Sequence, residues 1–318
     1  MKKLFGLAFL AVASIGCNNL ENDKSISIDG SSTVFPVTAA VAEKYRKVEP
    51  KIHVTIGVSG TGGGFQKFTR GSTNLSNASR SISESEIALA KNNKIEYVEL
   101  EVAYDGLAVV VHPDNTWADS ITVEDLKRIW EPAAQGKITH WNQINPAWPN
   151  EEMHLFGPGV ASGTFDYFTE AVVGESGASR GDFTASEDDN VLVQGVSGDK
   201  YGLGFFGIAY FEANKDKLKL VGVDSGNGPV KPTTETIKNG TYSPLSRPLF
   251  LYVNSSSLEN MEVVNFVKYY LQNVGGIAKD VGYVALTEEE YAREIKKFNS
   301  FVEKHTPSGV ESNKAANE

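Results

Sequence analysis

Alternating and helical periodicities succeed one another along the chain. Residues 25–28 alternate apolar with polar and run into Gly-Ser-Ser, which predicts a strand. Residues 35–48 carry a helical pattern with Pro36 in the first turn, where a missing N–H costs nothing. Alternation returns over 51–58, with Ile52, Val54, Ile56 and Val58 on one face. The run LAVVVH within 99–112 is apolar throughout, the signal of a buried strand. Further strands are predicted at 153–156, 201–208 and 247–254, and helices at 123–130, 189–196, 261–273 and 287–302. Such alternation predicts an α/β chain with mostly parallel sheets.

The strands around LAVVVHP and RPLFLYV bracket a middle block. The chain is expected to leave a first domain near the former and return to it near the latter. Domain I then comprises 26–112 and 248–303, and domain II 113–247. A domain reached through two strands suits a hinge. Polar residues 18–25 read as a tether, and 304–318 as a disordered tail. At the N-terminus, Lys2 and Lys3 precede LFGLAFLAVA, too short for a permanent membrane span, so 1–17 reads as a signal peptide. Cys17 is the single cysteine of the 318 residues, which rules out an intramolecular disulfide. Its place after Ser14-Ile15-Gly16 resembles a bacterial lipobox, so Cys17 is the expected lipid attachment point; the alternative is an ordinary cleaved signal peptide. Either way the mature protein is expected outside the cytoplasm, and on the lipobox reading it is held to the membrane by its N-terminal lipid.

A formal net charge of −10 argues against nucleic acid as a partner, which wants a basic face. It leaves room for a small anion, because local dipoles outweigh net charge at short range. GSSTVFPVTAAV (30–41), GVSGTGGGFQKF (57–68) and GVASGTFDYFTEAV (159–172) share one grammar: glycine, hydroxyl, helix. A helix start leaves about four N–H groups unpaired and carries roughly half a positive charge. Glycine lets an anion approach the backbone. One such loop merely caps a helix in most proteins; three, from both halves of the chain, point to a small oxyanion. Arg80 in NLSNASRSIS is the first candidate for a cation, since its fork can bond two oxygens at once. Arg180 and Arg247 are second choices.

Competing chemistries find less support. Gly202-Leu-Gly-Phe-Phe-Gly207 matches G-x-G-x-x-G, but apolar Ile208-Ala-Tyr-Phe follows instead of a convincing helix start, so it reads as a glycine-bearing strand near the hinge. There is no G-x-S-x-G, and His53, His112, His140, His154 and His305 lack metal-ligand spacing. The acidic run 186–190 lacks the spaced ligands of a calcium loop. No catalytic residue, metal or cofactor is expected. Trp130, Trp141 and Trp148 read as packing residues.

DGSSTVFP, NASR, DGLAVVV, SGTFDYFTE, SEDDNVLVQGV and PLSRPLF together resemble the periplasmic phosphate-binding protein of the bacterial phosphate ABC transporter, over about residues 26–300. The resemblance implies a two-domain class II binding-protein fold, with the ligand in a cleft between domains joined by a two-strand hinge. It implies a monomer that binds inorganic phosphate and delivers it to an ABC permease in the inner membrane. Carried over by motif, phosphate would meet Ser32, Thr33 and Val34 in the first loop and Ser59 or Thr61 in the second. Arg80 and then Ser162, Gly163 and Thr164 would complete the set. One departure matters: related sequences commonly read GTDSGT where this chain reads GVASGT, so Ala161 replaces an acid. A carboxylate there would accept the proton of monohydrogen phosphate and repel sulfate, which has none. Asp105 or Asp166 is the expected substitute acceptor. The alternatives are a receptor for another oxyanion such as sulfate or arsenate, a secreted phosphatase, and an adhesive surface lipoprotein.

Overall fold

The computed structural model describes residues 25–160 and 162–305. Cys17, the signal peptide, the tether up to 24, Ala161 and the tail from 306 lie outside the described residues. Strand β1 (Ser25–Gly30) leads into α1 (Phe35–Val48), β2 (His53–Ile56) into α2 (Gly60–Phe68), and β3 (Leu75–Ala78) into α3 (Glu84–Asn92). The long β4 (Tyr97–Val111) precedes β5 (Ser120–Thr122), α4 (Val123–Trp130), β6 (His154–Pro158), α5 (Gly163–Val172) and β7 (Thr184–Ser186). Next come α6 (Asp189–Ser197), β8 (Gly202–Gly207), α7 (Ile208–Glu212), β9 (Lys219–Leu220), β10 (Gly222–Asp224), β11 (Pro229–Val230) and α8 (Thr234–Lys238). The chain returns through β12 (Ser246–Asn254) to α9 (Met261–Asp280) and α10 (Glu288–His305). Residues 304 and 305 of the expected tail are therefore helical, and Ser25 of the expected tether begins a strand.

The main sheet runs β2-β1-β3-β12-β4-β8-β6-β7, with β9 beside β4. Its flanks are parallel: β1 with β2 and β3, and β6 with β7 and β8. Its centre is antiparallel, because β12 runs against both β3 and β4, and β4 runs against β8. The expectation of mostly parallel sheets is corrected here. A chain that crosses out along one strand and back along another sets those two strands in opposite directions.

The buried apolar residues separate into two main cores. One holds buried residues between Ile26 and Ala103 and between Leu249 and Phe298, apart from a small separate cluster of Phe65, Phe68, Ala78, Phe250 and Tyr252, with Val37, Val41 and Tyr45 of α1 facing Phe266, Val267 and Tyr270 of α9. The other holds Leu107 through Leu245. Trp130 anchors it edge-on to Phe168 and Phe205, and Trp141 packs between Trp117 and Trp148. Burying a large apolar side chain of this kind contributes about 1.5–3 kcal/mol. Residues 107–111, expected with the first domain, thus pack in the second core.

Strand β4 joins the two halves. Its residues 97–106 pair with β12, and its residues 107–111 pair with β8. At the changeover, Gly106 has no side chain because the tip of Ile237 fills the space: a Cβ there would lie 2.5 Å from Ile237 Cδ1. The glycines of β8 are a strand beside β4, as read from sequence, but the five-residue α7 follows them directly. No loop intervenes between strand and helix to cradle a pyrophosphate.

Candidate functional site

The first loop starts where β1 ends. Gly30 has φ +139°, and a Cβ there would lie 2.0 Å from the Asn77 carbonyl oxygen. That close approach lets the Ser31 N–H donate to the same carbonyl at 3.0 Å, tying loop 31–34 to the end of β3. No side chain caps the start of α1. The second loop is tied to β1 by Asp29, which accepts from Ser59 Oγ at 2.5 Å and pairs with Lys67 at 2.5 Å. Burial opposes ionisation of Asp29, yet Lys67 and Ser59 outweigh it and hold the carboxyl below its usual range. Ser59, spent on Asp29, gives α2 no side-chain cap either. Two helix starts therefore keep first-turn N–H groups uncapped by side chains. At α5 the Ser162 hydroxyl caps the helix, accepting from the Thr164 N–H at 3.2 Å.

These elements border one cleft of about 320 Å³. Ser31, Ser32 and Thr33 form one wall; Gly60, Thr61, Gly62, Ser79 and Arg80 form another; Asp166, Tyr167, Glu170 and Ser176 face them from α5 and beyond. Arg247 of β12 closes the floor between them. Thr61 Oγ1 and Ser79 Oγ lie 3.0 Å apart, which ties the α2 start to the segment after β3.

Of the residues singled out by sequence, Ser32, Thr33, Thr61 and Arg80 border the cleft, and Asp166 does so too. Val34 is fully buried beneath it, and Ser59 turns to Asp29. Ser162, Gly163 and Thr164 stand beside the cleft rather than on its wall. Gly163 instead abuts the opposite loop: a Cβ there would meet the Thr33 nitrogen at 3.0 Å, and Thr33 Oγ1 lies 3.5 Å from the Gly163 carbonyl oxygen. Arg180 is away from the site, buried against the carbonyl oxygens of Ile129 and Ile138 and bonded to Asp182. No acid, cysteine or histidine cluster fit for a metal occurs among the described residues.

The two arginines of the cleft differ. Arg80 donates from both terminal nitrogens to Glu86 at 2.9 Å, lies 5.4 Å over the Phe65 ring, and is 47% exposed. Its charge is largely answered before any ligand arrives. Arg247 is 14% exposed; its guanidinium stacks 3.5 Å from the Tyr167 ring centre and donates to Thr33 Oγ1 at 2.7 Å. Asp105 lies 3.6 Å from Arg247 Nε, an ion pair too long for a hydrogen bond, and Glu170 is 3.9 Å from Nη1. Asp105 is 1% exposed and does not border the cleft; burial pushes its carboxyl up, and Arg247 only partly offsets this. Tyr167, whose hydroxyl donates to the Pro244 carbonyl, and Glu170 were not read from sequence. Projecting the face of α5 at spacing 166, 167 and 170 would have found both.

The cleft can therefore hold a small anion with backbone N–H groups, hydroxyls and a half-buried guanidinium. A family profile described as PBP superfamily domain matches residues 19–274. Protein SphX of Synechocystis is 48% identical over 286 residues, 90% of this chain and 85% of SphX. The phosphate-binding protein PstS of Staphylococcus saprophyticus is 39% identical, over 94% and 93% of the two chains. A crystal structure of a possible phosphate binding protein from Planctomyces limnophilus superposes with a TM-score of 0.83 at 43% identity, over 87% of this chain and 98% of that one. With fold, site and relatives in agreement, the chain belongs to the PBP superfamily and, within it, to the PstS-type family of periplasmic phosphate-binding proteins.

Proposed function

We propose that this chain captures inorganic phosphate in the cleft and hands it to an ABC permease of the inner membrane, working outside the cytoplasm as a monomer tethered through a lipid on Cys17. One observation carries the reading: the loop before α1, the first turn of α2, and α5 from the other half border a single cleft with Arg80 and Arg247. The names of the PstS relative and of the Planctomyces structure support phosphate as the ligand. We place the lobe boundaries at Gly106 and Leu245, where β4 changes partner and the two cores divide. Binding favours the closed arrangement by as much as the anion prefers it, and no bond is made or broken.

Equilibrium dialysis against labelled phosphate tests this. The expected result is one phosphate retained per chain, with no phosphate released from a nitrophenyl ester. Release from the ester would favour the phosphatase reading.

Ala161 favours a second reading, a receptor with weak preference among oxyanions. Ala161→Asp is expected to raise the ratio of phosphate to sulfate affinity, through a carboxylate that accepts the phosphate proton. An unchanged ratio in competition dialysis would remove that reading.

A further inference from the structure

We propose that Arg247 binds the anion directly and couples its arrival to closure of the lobes, with Asp105 as the positioning residue that aims it; this rests on the phosphate reading above. Arg247 and Asp105 are direct cross-strand partners on β12 and β4. They stand one pair before the last pair of that ladder, Ser246 with Gly106, beyond which β4 turns to β8. The guanidinium thus grows from the pivot itself.

From there it touches both halves. Its Nη2 donates to Thr33 in the loop before α1, its plane lies on Tyr167 of α5, and its Nη1 faces Glu170 of the same helix. Thr33 in turn receives the Tyr283 hydroxyl on its carbonyl oxygen at 2.7 Å and lies against Gly163 across the cleft. A group rooted at the pivot moves least as the lobes rotate, so it can hold the anion while α5 swings in.

Arg247 also has donors to spare. Its buried Nε–H has no hydrogen-bond partner among the described residues, and both Asp105 oxygens are likewise unbonded. Neither carboxylate beside it is close enough to satisfy the fork. Arg80, by contrast, has both terminal nitrogens on Glu86. A charge shielded from water acts on an anion more strongly than an exposed one, which favours Arg247 as the principal cation.

The test is isothermal titration with inorganic phosphate on the full chain, alongside small-angle scattering with and without phosphate. Arg247→Gln is expected to bind at least about 100-fold more weakly, on the scale of a lost buried charge partner, and to show no phosphate-driven fall in radius of gyration. Arg247→Lys keeps the charge without the planar fork and is expected to recover part of both. Asp105→Asn is expected to bind about tenfold more weakly while remaining folded by circular dichroism. Binding within twofold of the parent by Arg247→Gln overturns the proposal; should that variant fail to fold, the same result for Arg247→Lys overturns it. A pair that serves stability alone would lower the melting temperature and leave affinity and compaction unchanged, which also overturns it. If the parent itself binds no phosphate, this proposal and the phosphate reading fall together; if the parent binds and the variants match it, only this one falls.

Discussion

Arg80 reaches the cleft with its fork already occupied, and that decides what its removal does. Glu86 serves two purposes: it pairs with Arg80, and it receives the Ser83 N–H at 2.8 Å in the capping box of α3. Gln keeps most of a capping box while dropping the charge. Glu86→Gln is therefore expected to free Arg80 and tighten phosphate binding a few-fold, whereas Arg80→Gln weakens it by about tenfold, less than a fully buried partner would. Fluorescence titration of the two variants checks the opposite signs. Arg80 was legible in the sequence because small polar neighbours mark a loop. Arg247 was only a second choice, since it opens a strongly apolar strand, and its place in the cleft follows from the pairing of β12 with β4. Register of that kind is a long-range fact that local pattern does not carry.

At the scale of elements, the cleft depends on glycines that let backbones touch. A Cβ on Gly64 of α2 would lie 2.5 Å from the Gly30 Cα, an obstruction of backbone rather than of a flexible tip. Gly64→Ala is expected to cost about 1–3 kcal/mol of stability, the scale of overpacking. It should also weaken phosphate binding, because the α2 start and Thr61 move with it. Thermal denaturation and titration of the same sample check both effects. The periodic elements were readable: α1 and α4 have the bounds their patterns predicted. Strand β3, beyond an apparent strand end before Arg80, and helix α3 were not. All four residues of β3, LSNA, are buried although two are polar, so alternation is absent. The signal for α3 was its capping box, Ser83 with Glu86, and not its weak periodicity.

For the molecule as a whole, two lobes on a shared pair of strands could be anticipated from LAVVVHP and RPLFLYV. The antiparallel centre could not, because strand direction is set by the crossing itself. Stability should carry a pH signature from Asp189, at the start of α6. Burial, with Asp188 and Glu187 nearby, raises its carboxyl from 3.8 to about 6. The folded state then holds the proton more tightly than the unfolded chain. This contribution to stability is present at low pH and is lost as pH rises from about 4 to about 6. Asp189→Asn is expected to raise the melting temperature at pH 7.5 and to leave it unchanged near pH 4, a difference that scanning calorimetry reads directly.

The central claim is that the starts of α1 and α2, with Arg80 and Arg247 in the same cleft, hold a single oxyanion. Isothermal titration of the purified chain at neutral pH with phosphate, and in parallel with sulfate and arsenate, tests it most directly. The account predicts saturable binding of one phosphate per chain, with arsenate competing and the loss of Arg247 abolishing most of the affinity. Titrations that show no saturable binding of any of the three anions would contradict it.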